Sequence, residues 1–243
     1  MENINAHEII WNDVKVSRFW DYVSHNKYYD DLYFTKMVGS KVIKYLDKKI
    51  NLQNKTILDY GSGPGYLVEH IKKLNRKISY HALDFSEDSI HTLKDKYSKY
   101  ENFKNAYFVN KFPTTISERF DLVVALEVIE HLDDEKLNSM ISEIKNLLKQ
   151  NGYVFITTPN NEKLDANKIY CPDCGCVFHR WQHMRSWNAN SLKKFMEQNG
   201  FKTVAVVENN WSHTIFHKGK NILKKILGEA EAPENLSYLG MKK

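Results

Sequence analysis

From residue 14 to residue 50 apolar positions recur every three or four residues, and Val38, Val42, Ile43 and Leu46 fall on one face of a helix. Beyond residue 50 the period changes. The short β-rich runs TILDY, ISYHALD, AYFVN, FDLVVAL and YVFITT alternate with helical stretches at YLVEHIKKL, around 87–100 and around 134–149. A regular βαβα alternation predicts a parallel sheet covered by helices on both faces. NANSLKKFMEQNGF predicts one more helix, with Asn190 or Ser191 as N-cap and Gly200 where a C′ glycine belongs. FKTVAVVE and SHTIFHK read as two last strands joined by a short hairpin-like connection, ENNW. The pattern therefore predicts an α/β fold: a doubly wound sheet of five parallel strands with an antiparallel hairpin at its edge.

Composition narrows the class. A chain of 243 residues with 42% hydrophobic and 13% aromatic residues can bury one substantial core, as a globular protein does and a disordered one does not. The stretch MENINAHEII has no apolar core of a signal peptide, and no apolar run approaches the ~18 residues that span a bilayer. A net charge of +5 comes from scattered lysines. The basic piece ILKKILGEA reads as a solvated helix face rather than a nucleic-acid patch. Three clustered cysteines make no disulfide framework and point to a reducing, cytoplasmic setting.

Candidate chemistry begins at LDYGSGPGYL, where the first strand of the sheet meets a helix. Glycines there let the backbone approach a ligand and leave the helix N-terminus open to an anionic group. A dinucleotide fingerprint wants G-x-G-x-x-G, but counted from Gly61 the third glycine falls at Gly65, leaving Tyr66 at the expected place. A phosphate loop wants Gly-Lys-Ser/Thr, which is absent. A ligand with a carboxylate and a ribose fits better. Asp84 ends the second strand about 20 residues on, where an acid accepts ribose hydroxyls. Its alternative role is to cap the next helix, which Ser86 can also do.

LDYGSGPGY, ALDFS, FDLVVALEVIEHL and LLKQNGYVFITTPN, in that order and spacing, resemble the class I S-adenosylmethionine-dependent methyltransferases over roughly residues 40–218. The resemblance implies a seven-stranded Rossmann-like sheet with the methyl donor, S-adenosyl-L-methionine, lying across the strand C-termini. It places Asp59, Gly61 and Gly63, with Ser62 between them, at the methionine end of the donor. Asp84 would hold the ribose, Phe85 and Asn110 the adenine, and the Leu126 backbone the methionine part. One domain then divides into an N-terminal helical cap (1–50), a donor-binding core (51–160), a Cys/His insertion (161–187) and a final helix, strands and tail (188–243).

EVIEH follows the fourth strand of the sheet. On a helix, Glu127, Glu130 and His131 would share one face. The bland reading is an acid-rich first turn favoured by the helix dipole, with an incidental histidine. EVIEHL is similar to two branches of the family, the ubiquinone-biosynthesis O-methyltransferases and the small-RNA 3′-terminal 2′-O-methyltransferases. In both, the matching residues hold a divalent cation, and in the RNA branch a further histidine follows a TTPN-like turn. That resemblance implies a site of Glu127, Glu130, His131 and His183, suited to magnesium, manganese, iron or zinc, with Glu127, His131 and His183 as the catalytic candidates.

YCPDCGCVFHRWQHMRSW, residues 170–187, gathers all three cysteines and two of the ten histidines. CPDCG has the Cys-x-x-Cys-Gly spacing of a zinc half-site, which Cys176, His179 or His183 could complete around Cys171 and Cys174. The bland reading is cysteines packed as small hydrophobes. His179 and His183 are also spaced to share a helical face, and His183 cannot readily serve both sites. The expectation is that the cysteines organise a lid over the donor site while His183 points into the reaction centre. The RNA branch has no such knuckle, which weighs against RNA as acceptor.

These readings predict methyl transfer to a small or carrier-linked acceptor, at a hydroxyl such as that of a sugar, polysaccharide precursor or natural product. The alternatives are an amine acceptor of amino-sugar or phosphoethanolamine type, RNA 2′-O-methylation, and a non-enzymatic zinc-knuckle binding module. No membrane partner is expected.

Overall fold

The computed structural model describes residues 5–111, 113–211 and 232–243. A two-residue strand, β1 (His7–Glu8), leads into helix α1 (Asp13–His25), a 3-10 turn at Lys27–Leu32 and helix α2 (Phe34–Ile50). Asn12 caps α1 by accepting the Lys15 amide. Val38, Val42, Ile43 and Leu46 are buried along α2, as their spacing predicts.

Strand β2 (Thr56–Tyr60), helix α3 (Tyr66–Lys72), β3 (Ser79–Asp84), α4 (Glu87–Tyr97), β4 (Phe103–Phe108), β5 (Phe120–Leu126), α5 (Asp134–Leu147) and β6 (Leu148–Pro159) follow in alternation. A small hairpin, β7 (Lys168–Tyr170) with β8 (Cys176–His179), precedes α6 (Ala189–Gln198), β9 (Phe201–Asn209) and β10 (Asn235–Lys242). The main sheet has seven strands in the order β4-β3-β2-β5-β6-β10-β9. β2 to β6 run parallel, and β10 pairs antiparallel with both β6 and β9. The smaller sheet, β1-β8-β7, sets β1 parallel to β8 and β7 antiparallel to it.

Neighbouring strand residues enter opposite cores. Leu122 and Val124 pack with α2, α3 and α4, whereas Val123 and Ala125 pack with α5 and α6. That two-sided burial explains why FDLVVAL reads as a continuous apolar run rather than an alternating one.

Two expectations change, and a third lies outside the described residues. The last strand, expected at SHTIFHK, falls outside the described residues, as does ILKKILGEA. The antiparallel partner of β9 is NLSYLGMK, which the pattern left in the tail. It is a central strand because Tyr238 enters one core and Leu239 the other, beside β6. The α6 cap is Asn188, not Asn190 or Ser191. Asn188 accepts from the Ser191 amide while the Ser191 hydroxyl accepts from the Asn188 amide, a reciprocal capping box. Gly200 takes the left-handed C′ conformation (φ 88°), as expected.

Candidate functional site

The β2–α3 loop turns over the C-terminal edge of the sheet. Gly61 has φ 76°, and a Cβ there would lie 2.7 Å from a Val128 methyl, so the position needs glycine on both counts. The Gly61 and Ser62 amides donate to the Leu83 carbonyl (2.8 and 3.1 Å), tying the loop to β3. Asp84 accepts the Gly63 amide on Oδ2 (2.7 Å) and the Ser86 amide on Oδ1 (2.8 Å). Ser86, not Asp84, caps α4. Asp84 is therefore anchored by two backbone donors while its outer lone pairs face the cavity.

That cavity holds about 860 Å³, and Gly61, Ser62, Gly63, Asp84, Phe85, Asn110 and Leu126 all stand on its wall. Asp59 does not. It is 1% exposed beneath the loop, accepts the Tyr80 hydroxyl at 2.6 Å, and burial raises its pKa to about 7 against the lowering effect of that bond.

The same cavity is also lined by Glu127, Glu130, His131 and His183. EVIEH is not an α-helix. Glu127 takes a left-handed backbone (φ 54°), and Ile129–His131 forms a single 3-10 turn before α5 begins. The kink at Glu127 is held by its amide, which donates to the Thr157 carbonyl (3.1 Å) and hydroxyl (3.2 Å). Glu130, 1% exposed, accepts the Thr158 hydroxyl at 3.0 Å. So TTPN supplies the two threonines that seat the acidic turn.

Burial, then the charge of Glu127, pushes the Glu130 carboxyl well above its ordinary range. Burial raises Glu127 to about 7 despite the Thr157 hydroxyl, with the Glu162 charge adding to the rise. His131 falls to about 3 through burial and the neighbouring His183. Glu127 Oε1, Glu130 Oε1 and His131 Nδ1 are buried without a hydrogen-bond partner. Unsatisfied buried polar atoms are rare in folded proteins, and here three of them belong to residues that line one cavity, although Glu127 stands outside the Glu130–His131–His183 grouping.

The insertion docks on this turn. The Met184 amide donates to the Glu130 carbonyl (2.8 Å), Gln182 Nε2 to the His131 carbonyl (2.9 Å) and Arg185 Nε to the Leu132 carbonyl (2.9 Å). Helix α1 closes from above, with Trp20 Nε1 donating to Gln182 Oε1 (3.1 Å) and its ring edge-on to His131 (4.9 Å).

Among the described residues three groups bring ligand-type atoms within 4.8 Å of one another: Cys171, Cys174 and Cys176; Glu130, His131 and His183; and Glu162, His179 and His183. The thiols sit at the tip of the β7–β8 hairpin, where Gly175 (φ 76°) allows the turn, and they are not on the cavity wall. They do not roof the donor side; Trp181, Gln182, His183 and Met184 line the cavity instead. His179 groups with Glu162 and His183 rather than with the thiols. It ends β8, and a turn through Gln182 (φ 60°) stacks the two imidazoles at 4.4 Å, so they share no helix. Burial lowers the His179 pKa.

Glu162 is the residue that spacing did not reveal. Its Oε2 lies 2.5 Å from His183 Nδ1 and its Oε1 3.2 Å from His179 Nε2. Although burial raises its pKa, the hydrogen bond with His183 brings it below the ordinary value. It follows TTPNN directly, and no motif in the sequence marks it.

A seven-stranded sheet of this order, with a glycine loop and an acid at adjacent strand ends, is the class I fold of S-adenosylmethionine-dependent methyltransferases. The model of the methyltransferase domain family matches residues 32–206, and the chain belongs to that family. It is 26% identical over 168 residues to the ubiquinone biosynthesis O-methyltransferase of Marinobacter nauticus, covering 65% of this chain and 64% of that one. The chain thus spans about two thirds of the length of such curated relatives. A S-adenosylmethionine-dependent methyltransferase of Clostridium acetobutylicum superposes with a TM-score of 0.62 at 15% identity, over 93% of this chain and 99% of that one. The glycopeptide N-methyltransferase MtfA complexed with S-adenosyl-L-methionine gives 0.58 at 11%, over 86% and 96%. Among the described residues no helix is long and apolar enough to cross a membrane.

Proposed function

We propose that this chain transfers a methyl group from S-adenosyl-L-methionine to a hydroxyl of a small or carrier-linked acceptor, assisted by a divalent cation. One observation carries the reading: the glycine loop with Asp84 and the Glu–His cluster line one and the same cavity. When bound, the donor supplies an electrophilic methyl on its sulfonium, and the cation supplies a positive charge that makes a hydroxyl more acidic.

The chain's own part is alignment and proton handling. The outer lone pairs of Asp84 accept ribose hydroxyls, and the left-handed backbone at Gly61 and Gly63 lets the loop approach the methionine end. Phe85 and Asn110 flank the adenine side, and the Leu126 backbone the methionine part. Glu127, Glu130, His131 and His183 would hold the cation, which fits because three of their polar atoms are buried and unpartnered and two carboxyls lie together. Trp20, Trp181 and Gln182 line the cavity beside these groups. Cys171, Cys174 and Cys176 hold a separate structural zinc at the hairpin tip, supported by their Sγ grouping.

A second reading has support in the same atoms. Glu127 and Glu130 would also bind a cationic amine, making the acceptor an amine and the divalent cation unnecessary. Calorimetry of the whole chain with S-adenosylmethionine, repeated with Mn²⁺, decides between them. Hydroxyl transfer with a cation expects binding of both, and loss of Mn²⁺ binding alone in Glu130→Gln. Donor binding without Mn²⁺ binding would favour the amine, and no donor binding would leave a zinc-knuckle binding module.

A further inference from the structure

His183 belongs to two groups at once, with Glu130 and His131 on the cavity side and with Glu162 and His179 behind it. The hydrogen bonds sort them. His179 Nδ1 accepts the amides of both Trp181 and His183 (3.2 Å each), so that nitrogen carries no proton and its lone pair is occupied. In the neutral ring the proton must then sit on Nε2, which lies 3.2 Å from Glu162 Oε1 and is buried without a hydrogen-bond partner. His179 could bind a metal through Nε2 only as an imidazolate. It stands instead as a proton-bearing nitrogen beside the Glu162 carboxylate. Asn167 Nδ2 donates to the same Oε1 at 3.0 Å. Asn167 therefore holds Oε1, with the His179 ring beside it, and Oε2 is left for His183 Nδ1 at 2.5 Å, a separation that needs a proton between carboxylate and ring.

We propose that Glu162 is a positioning residue that fixes His183 in its Nδ1–H tautomer, so that the Nε2 lone pair faces the cavity as the nitrogen ligand of the cation. Glu162 and His179 are absent from the cavity wall and His183 is on it, as a ligand with an orienting layer behind it requires. The inference rests on the cation reading for its consequence, though not for the tautomer. The pattern also settles which group His183 serves: Glu162, His179 and Asn167 are support, and Glu130 and His131 are its fellow ligands.

Glu162→Gln is a directed test, because the structure dictates how the new amide sits. Asn167 Nδ2 donates at the Oε1 position and the proton-bearing His179 Nε2 lies 3.2 Å from it, so the glutamine oxygen belongs there and its NH₂ falls opposite His183 Nδ1. That NH₂ donates to Nδ1 and forces the proton onto Nε2. Long-range ¹H–¹⁵N NMR of the metal-free chain should show His183 as Nδ1–H in the wild type and as Nε2–H in Glu162→Gln. Mn²⁺ affinity, by calorimetry on the same samples, should fall by about 10- to 100-fold with S-adenosylmethionine affinity unchanged. A wild-type His183 protonated on Nε2 would overturn the proposal without any variant being made, and so would a tautomer unmoved by the substitution. If the wild type binds no Mn²⁺ yet the tautomer switches, the cation reading fails and the positioning role of Glu162 stands. If Mn²⁺ binds equally to both proteins, the ligand role assigned to Nε2 is wrong.

Discussion

Gly61→Ala tests the joint between the donor loop and the acidic turn. Two separable penalties arise. A non-glycine residue held at φ 76° costs about 1–2 kcal/mol. The new Cβ would stand 2.7 Å from Val128 Cγ2, closer than real Cβ contacts come, and overpacking of that kind costs about 1–3 kcal/mol. Together they amount to about 2–5 kcal/mol, a large share of the roughly 5–15 kcal/mol that holds a domain folded. For a chain of this size each kcal/mol lowers Tm by roughly 2–4 °C. Val128 lies between Glu127 and the 3-10 turn, so relief of the clash by displacing Val128 would also disturb the Glu130–His131 pair. Denaturant unfolding of Gly61→Ala, Val128→Ala and the double variant separates the penalties. Shortening Val128 should recover the steric part, about 1–3 kcal/mol, and leave the dihedral part, so the cycle should be non-additive by that amount. Strict additivity would refute the contact, and a Gly61→Ala chain as stable as the wild type would refute both penalties.

Asp84→Ala should weaken S-adenosylmethionine binding at least about tenfold by calorimetry, since charge-assisted bonds contribute about 1.5–3 kcal/mol each. It should also lower Tm by freeing the Gly63 and Ser86 amides; a lower Tm with unchanged affinity would reduce Asp84 to a loop anchor. Asp59 has a folded pKa of about 7, above its unfolded value, so its contribution to stability is complete below about pH 4 and is lost as pH rises through 7. Asp59→Asn keeps an acceptor for Tyr80 and should flatten the fall in stability between pH 4 and 8 by up to roughly 4 kcal/mol; an unchanged pH profile would mean the carboxyl is not the titrating group. Cys171→Ser should lower zinc content by elemental analysis and speed proteolysis within 160–187 while the main sheet stays folded. A wild-type chain without zinc would make the thiols ordinary packing residues.

The sequence by itself determined the elements whose signal is local. Four apolar residues in α2, five β-rich runs and a glycine at the end of α6 each carry their period or backbone preference within a few neighbours. The order of the donor motifs was legible for the same reason, since loop glycines and a strand-end acid sit at fixed offsets from the strands they terminate. Tertiary structure alone decided the rest. NLSYLGMK becomes a central strand only because β6 and β9 offer it two edges, a non-local pairing with no counterpart in its own pattern. Glu127 reaches the cavity through a left-handed kink that the Thr157 carbonyl and hydroxyl, some 30 residues on, hold in place. The division of labour among Glu162, His179 and His183 depends on backbone amides and an asparagine that fill one nitrogen and one oxygen and leave the others free. Spacing shows which side chains are within reach of a site. Which lone pair each one has left to offer is set by its hydrogen-bond partners, and those are assembled only when the chain folds.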